Sequence, residues 1–264
     1  MKNPETLRAG VIQFDVKRGD IPSNFQSATD AIGRLKDQGA HMAVLPELWT
    51  CGFDNKNIVR HAEKTPEIIE MLTRTAKIHG MLIAGSVPEI SDGLVYNTLF
   101  VIDADGTVSG RYRKVHLFSA SGENQTFAAG QRAEVWDTSL GPVGAMICYD
   151  IRFPELCRSL AIQGARIVVV CAQWPEARIS HWDTLLQARA IENQLFIVAS
   201  NRTGRDTSLN FPGHSQIISP FGEILAKTVN TRDEVSSEIN FKDIDTFRNH
   251  FNCITERVPE AYRF

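Results

Sequence analysis

The chain has 264 residues, of which 43% are hydrophobic and 22% are charged, and its formal net charge at pH 7 is -3. That length and hydrophobic content are enough for a sizeable core, and the basic residues are scattered among acidic ones, so we expect no nucleic-acid partner. No stretch reaches the roughly 18 consecutive apolar residues of a membrane span, so we expect no membrane association.

The cysteines indicate a reducing compartment. There are five, at positions 51, 148, 157, 171 and 253, and no two form a CxxC pair. An odd number at irregular spacing is typical neither of a disulfide framework nor of a zinc site. The first 14 residues lack the uninterrupted apolar segment of a secretory signal. We therefore expect a cytoplasmic protein.

Along the chain, short apolar runs alternate with segments of helical period. Strands are predicted at 7–14, 41–47, 81–88, 141–148, 165–172 and 194–201, with hairpins over 96–114 (around DADG) and 213–229 (around PFG). Helices are predicted at 24–39, 66–80, 154–164 and 180–193. No repeat, low-complexity tract or flexible linker interrupts this pattern. Residues 1–264 are therefore predicted to form one α/β domain with layered mixed sheets.

Three predicted strands end at residues that carry chemistry. Glu47 follows "MAVLP", Lys114 lies in "GRYRKVHLF", and Cys148 ends "GAMIC". In α/β folds, catalytic side chains are concentrated where strands end and loops begin. Taken separately, each residue also fits a structural role: Glu47 as a solvated carboxylate, Lys114 as a surface ammonium and Cys148 as a buried thiol. Taken together, they form a workable acyl-transfer site.

Each of these groups has a role in attack by a thiol on an acyl carbon. Glu47 is predicted to act as the base, and Lys114 to stabilise the oxyanion as a compact positive charge. The ammonium is also expected to lower the pKa of the Cys148 thiol towards neutrality. A sharp turn after the strand would expose the sulfur and direct the backbone N–H of Tyr149 at the same oxyanion.

These residues lie in three motifs that occur in order, "LPELW", "YRKVHLF" and "ICYDIRFPEL". With them, the chain resembles the nitrilase, or carbon–nitrogen hydrolase, superfamily. The resemblance implies that Glu47, Lys114 and Cys148 form a Glu-Lys-Cys triad, and that Glu123 is a second glutamate that supports the lysine and positions the substrate. It also implies a four-layer α-β-β-α sandwich, a homodimer that pairs through helical faces, and no metal or cofactor.

Two later segments resemble the omega-amidase branch of that superfamily. They are "AQWPEARISHWDTLLQARAIENQLFIVASNRTG" (172–204) and "GHSQIISPFGEILA" (213–226). The resemblance implies a small amide substrate such as 2-oxoglutaramate, the monoamide of a dicarboxylic acid. The far carboxylate of such a substrate needs a cation, and Arg178 is predicted to bind it, because a guanidinium can grip a carboxylate through two hydrogen bonds.

Neighbouring residues are assigned to the pocket wall or to structural support. Phe118, Tyr149 and Trp174 are predicted to wall the pocket, although large aromatic residues are also common in cores. Arg152 and Glu155 are expected to pair and hold the cysteine turn. The segment "ARAIENQ" (188–194) is expected to pack against the same turn.

Several alternatives stay open at this point. Deaminated glutathione, N-carbamoyl amines, aliphatic amides and nitriles would all suit the same triad. A papain-like pair of Cys148 with His116 or His214 is a second chemical possibility, although His116 is expected to satisfy a local hydrogen bond. A non-catalytic module that binds a small molecule is the third.

Overall fold

The computed structural model describes residues 4–207, 209–228 and 234–262. Its helices are α1 (Ile21–Asp37), α2 (Ile58–Ala62), α3 (Thr65–His79), α4 (Pro154–Ile162), α5 (Ile179–Asn193) and α6 (Lys242–His250). The first seven strands are β1 (Thr6–Ile12), β2 (Met42–Val44), β3 (Leu82–Ser91), β4 (Leu94–Ile102), β5 (Val108–Arg113), β6 (Val135–Thr138) and β7 (Gly141–Ile147). The others are β8 (Ile167–Ala172), β9 (Phe196–Asn201), β10 (Thr203–Asp206), β11 (Leu209–Pro212), β12 (Gln216–Ile218), β13 (Ile224–Lys227) and β14 (Glu234–Asn240).

Most strands belong to two six-stranded mixed sheets. The first sheet has the order β14-β1-β2-β3-β4-β5, and the second has the order β13-β12-β9-β8-β7-β6. Strands β1, β2 and β3 run parallel at the centre of the first sheet, as do β7, β8 and β9 in the second. The outer strands of both sheets are antiparallel. The central strands are apolar at nearly every position because both of their faces are covered.

The sheets pack face to face between two layers of helices. One apolar cluster joins α1 and α3 to the outer face of the first sheet through Ile32, Leu72 and Ile83. A second cluster continues from the inner face of the first sheet, through the second sheet, to Trp182 and Leu186 of α5. The layers therefore follow the order helix, sheet, sheet, helix, and the predicted four-layer α-β-β-α sandwich is confirmed.

The predicted helices and strands are all present, with shifted ends. Helix α1 begins at Ile21 rather than at 24, because Asp20 caps it by accepting a hydrogen bond from Ser23 N (3.1 Å) and Pro22 lies in its first turn. Residue 229, which ends the second predicted hairpin, lies outside the described residues. Strands β6, β10, β11 and β14 and helices α2 and α6 are additional elements. No helix in the described ranges is long and apolar enough to cross a membrane.

Candidate active site

The carboxylate of Glu47 lies at the end of β2, fully buried. Its Oε1 accepts hydrogen bonds from Asn97 Nδ2 (2.8 Å) and from Lys114 Nζ (2.9 Å). Its Oε2 accepts one from the backbone N–H of Gln173 (3.0 Å). The carboxylate is thus fixed from three sides before any substrate arrives, as expected of a preorganised site.

The ammonium of Lys114 lies directly after β5, between two buried carboxylates. Besides Glu47, Nζ donates to Glu123 Oε1 (2.7 Å) and Oε2 (2.9 Å). Glu123 is itself held by the backbone N–H of Phe118, which donates to Oε2 (2.7 Å). Burial alone would lower the pKa of Lys114, but the charges of Glu47 and Glu123 raise it above its ordinary value. Lys114 therefore remains a cation.

The strand β7 ends in a tight turn that presents Cys148. The residue has a φ of +48°, in the left-handed region that side chains rarely adopt, and a 3₁₀ turn follows over Cys148–Arg152. Asp150 braces this turn, because its Oδ2 accepts from Ile147 N (2.9 Å) and from Tyr112 Oη (2.8 Å). Arg189 of α5 donates Nε to the carbonyl of Ile151 (2.9 Å), so the expected packing of segment 188–194 against the turn is confirmed.

Burial, with the charges of the site, favours the protonated form of the Cys148 sulfur. Burial raises the pKa of the Cys148 thiol well above its ordinary range, and the charge of Glu47 adds to this effect. Burial also raises the pKa of Glu47, and the charge of Glu123 adds to that shift against the opposing effect of Lys114. With one ammonium and two carboxylates, the site already has an excess negative charge. Lys114 lowers the pKa of Cys148 as expected, but burial and the charge of Glu47 outweigh it, so the predicted net lowering is wrong.

A cavity of about 300 Å³ brings the predicted site residues together. Its lining includes all of them: Glu47, Lys114, Phe118, Glu123, Cys148, Tyr149, Trp174 and Arg178. The rings of Phe118 and Tyr149 lie 4.9 Å apart, and the Arg178 guanidinium lies 5.4 Å from the Phe118 ring centre. Trp174 is buried and donates Nε1 to the carbonyl of Arg178 (2.7 Å), which fixes the start of α5 beside the cavity.

Arg152 has a different place from the one predicted. It lines the cavity, with its guanidinium 4.8 Å from the ring centre of Trp174, and it does not pair with Glu155. The predicted pair is wrong because Pro154 begins α4 and carries Glu155 into an exposed first turn. The cysteine turn is held by Asp150 and Arg189 instead.

Gln173 also lines the cavity and was missed from the sequence. It directly follows the apolar run of β8, just as Cys148 follows β7 and Lys114 follows β5. The strand-end criterion that selected the other residues would have found it. A polar amide at that position attracts less notice than a charge or a thiol.

The histidines proposed as alternative bases are engaged elsewhere. His116 Nδ1 hydrogen-bonds Asp150 Oδ1 (2.8 Å), which confirms the expected local bond, and its ring stacks on Phe153. His214 Nδ1 hydrogen-bonds Asp183 Oδ2 (3.0 Å). Of the residues that the structure describes, no histidine lines the cavity. In the same ranges, no group of three or more His, Cys, Asp and Glu residues could hold a metal ion.

Comparison with known proteins decides the family. The sequence profile of carbon–nitrogen hydrolase matches residues 8–249. The chain belongs to that family. This carbon–nitrogen hydrolase is 38% identical over 253 residues to 2-oxoglutaramate amidase of Bacillus subtilis (strain 168). The alignment covers 95% of this chain and 97% of the relative. It is 33% identical over 269 residues to omega-amidase NIT2 of Xenopus tropicalis, and that alignment covers 97% of this chain and 96% of the relative.

Solved structures give the same result. A Glu-to-Gln mutant of the amidase from Nesterenkonia sp. AN1 has a TM-score of 0.87 and 25% identity to this carbon–nitrogen hydrolase, over 97% of this chain and 95% of that one. That structure shows covalent addition of the acetamide moiety of fluoroacetamide at the active-site cysteine. The predicted resemblance to the nitrilase superfamily, omega-amidase branch, is confirmed.

Proposed function

We propose that this carbon–nitrogen hydrolase converts a small monoamide of a dicarboxylic acid, of the 2-oxoglutaramate type, to the acid and ammonia. The observation that carries the proposal is the Lys114 ammonium, hydrogen-bonded to both Glu47 and Glu123 in the cavity that contains Cys148. A fixed cation and a buried base beside a thiol are what acyl transfer requires. The relatives named as 2-oxoglutaramate amidase and omega-amidase support the substrate class.

The first half of the reaction forms a thioester. Glu47 takes the proton of the Cys148 thiol while the sulfur attacks the amide carbon. The carbonyl oxygen becomes an oxyanion, which Lys114 Nζ and the backbone N–H of Tyr149 stabilise. Glu47 then gives the proton to the amide nitrogen, the carbon–nitrogen bond breaks, and ammonia leaves. A raised pKa suits Glu47 to both transfers.

The second half releases the acid. Glu47 takes a proton from a water molecule, and the resulting hydroxide attacks the thioester carbon beside the same two donors. The carbon–sulfur bond breaks, and Glu47 returns the proton to the sulfur of Cys148. Glu123 holds the Lys114 ammonium in place during both halves, and it borders the cavity in which substrate is positioned. Splitting one difficult displacement into two easier ones lowers the highest barrier.

The far end of the substrate is assigned to Arg178. Among the described residues, its guanidinium has an aromatic neighbour, Phe118, but no carboxylate partner. Arg18, another cavity residue, already lies near the carboxylates of Asp54 (3.6 Å) and Asp206 (3.7 Å). An uncompensated guanidinium beside aromatic walls favours a ligand that carries its own carboxylate. The small cavity favours a short monoamide over the larger deaminated glutathione.

A panel assay of ammonia release tests this function. The panel contains 2-oxoglutaramate, succinamate, propionamide, a nitrile and an N-carbamoyl amino acid, and the two dicarboxylate monoamides are expected to react fastest. Cys148→Ala is expected to abolish release while circular dichroism stays unchanged. Arg178→Leu is expected to raise the KM for 2-oxoglutaramate about 10- to 100-fold, the value of a charged hydrogen bond, and to spare propionamide. Full turnover by the Cys148 variant, or a preference for the nitrile, would contradict the proposal.

We also propose that the 264 residues act as one domain and assemble as a homodimer through the helices of the second sheet. Large apolar side chains are exposed there, on α4 and α5 and beside them: Ile162, Ile191, Phe221, Phe251 and Val258. Light scattering coupled to gel filtration is expected to give twice the chain mass, and Ile162→Asp to reduce it to one chain.

A cytoplasmic location is consistent with five free cysteines and is tested by cell fractionation.

A further inference from the structure

The base and the nucleophile of the site lie on different sheets. Glu47 follows β2 of the first sheet, whereas Cys148 follows β7 of the second. Their separation therefore depends on what joins the two sheets where these strands end. On one side, Asp150 of the second sheet accepts from Tyr112 of the first, as described above. Gln173 and Arg202 provide a second connection.

Gln173 reaches Glu47 from the second sheet through two hydrogen bonds. Its backbone N–H donates to Glu47 Oε2 (3.0 Å), and its side-chain Nε2 donates to the Glu47 carbonyl (2.7 Å). The backbone of Gln173 also lowers the pKa of the Cys148 thiol, against the larger effect of burial. Gln173 is buried, so the loss of either bond leaves a buried polar group without that partner. Its position sets where Glu47 Oε2 lies relative to the thiol.

Arg202 holds the other end of the Gln173 amide. It directly follows β9 and is completely buried, and its Nη1 donates to Gln173 Oε1 (3.0 Å). Its Nη2 donates to Asp15 Oδ1 (3.0 Å) and to the Val16 carbonyl (2.8 Å), both beyond the end of β1 in the first sheet. A buried guanidinium that joins Gln173 of the second sheet to Asp15 and Val16 beyond the first acts as a cross-brace.

The two contacts of Gln173 permit a single orientation of its amide. A guanidinium only donates hydrogen bonds and a carbonyl only accepts them, so Oε1 faces Arg202 and Nε2 faces Glu47. Without Arg202, Oε1 of the amide has no donor, and only the Glu47 carbonyl still holds the side chain. The backbone of Glu47 is then held less rigidly, and its carboxylate is positioned less precisely even though no atom of Glu47 has changed.

We infer that Arg202 is a positioning residue for the reaction, acting through Gln173 on Glu47; this inference rests on the proposed function. Arg202→Met is expected to lower kcat about 10- to 100-fold and to leave KM within about threefold, since the reacting groups are misplaced while Arg178, assigned to the far end of the substrate, is unchanged. Gln173→Met is expected to give the same loss. The double variant is expected to be no slower than either single one, because both changes break one chain of contacts.

Asp15→Asn is the matched control. It removes the charge that pairs with Arg202 but leaves the contact between Arg202 and Gln173, so kcat is expected to stay within about twofold. If the Asp15 variant loses as much activity as Arg202→Met, or if the losses in the double variant multiply, Arg202 has a general structural role and the inference is wrong.

Alkylation of Cys148 by iodoacetamide provides a readout that needs no amide substrate. Intact-mass spectrometry follows the reaction at several pH values, with Glu47→Gln as the reference for a site without its base. Arg202→Met and Gln173→Met are each expected to slow alkylation about tenfold and to distort its pH profile. Alkylation at the wild-type rate in both variants would overturn the inference. Slowed alkylation in a protein that releases no ammonia from any panel amide would instead refute the proposed function and leave the role of Arg202 intact.

Discussion

Replacing Lys114 by Met tests the central contact of the site, because the variant removes the cation and leaves Glu47 and Glu123 buried without it. Breaking a buried ion pair by removing one partner costs about 3 to 5 kcal/mol. A chain of 264 residues has an unfolding entropy of roughly 0.55 kcal/mol/K, so the melting temperature is expected to fall by about 5 to 9 °C. The loss of the oxyanion donor is expected to lower kcat by a further factor of about 100 to 1,000.

Two assays separate these effects. Differential scanning calorimetry gives the melting temperature, and ammonia release from 2-oxoglutaramate gives kcat. The double variant Lys114→Met/Glu123→Gln is the control, because removing one uncompensated carboxylate is expected to restore part of the stability and none of the activity. Turnover within threefold of wild type in Lys114→Met would refute the oxyanion role. A melting temperature lowered by less than about 2 °C would refute the estimated cost of breaking the buried ion pair.

Three further results are expected. Burial raises the pKa of Glu47 above its ordinary 4.5, so kcat/KM is expected to decline with falling pH at a midpoint above 4.5, and a lower midpoint would contradict this. Asp150→Asn is expected to lower the melting temperature by about 2 to 5 °C, because the new amide N–H faces a group that itself donates, either Tyr112 Oη or Ile147 N. An unchanged calorimetric transition would disprove the bracing role. Gly110→Ala would place a Cβ 2.1 Å from the ring of Trp136 and is expected to lower the free energy of unfolding in urea by about 1 to 3 kcal/mol. An unshifted urea midpoint would show that the ring moves freely.

The sequence predicted the centre of the fold better than its edges. The central parallel strands are buried on both faces, so their apolar runs stand out in the sequence. Strand β14 (EVSSEIN) is largely polar and exists because it pairs with β1 at the edge of the first sheet. The β10–β11 hairpin is likewise held by pairing rather than burial. Backbone pairing between distant segments leaves no periodic pattern along the chain.

The same distinction applies to the site. Glu47 and Cys148 were identifiable because each follows an apolar run, and Lys114 because it ends the second arm of a predicted hairpin. Arg202 was not, because an arginine in "NRTG" reads as a surface turn, and its burial depends on Asp15, a residue distant in sequence. The raised pKa of the Cys148 thiol also escaped prediction, since it depends first on the burial of the sulfur and then on the charge of Glu47 beside it in space.

The positive φ at Cys148 also bears on how such a protein evolves. A residue with a side chain costs roughly 1 to 2 kcal/mol in that left-handed conformation, and glycine avoids most of the cost. Cys148→Gly is therefore expected to raise the melting temperature and to abolish ammonia release. Evolution of this position is therefore subject to opposite demands, because catalysis requires the cysteine and the backbone conformation favours glycine.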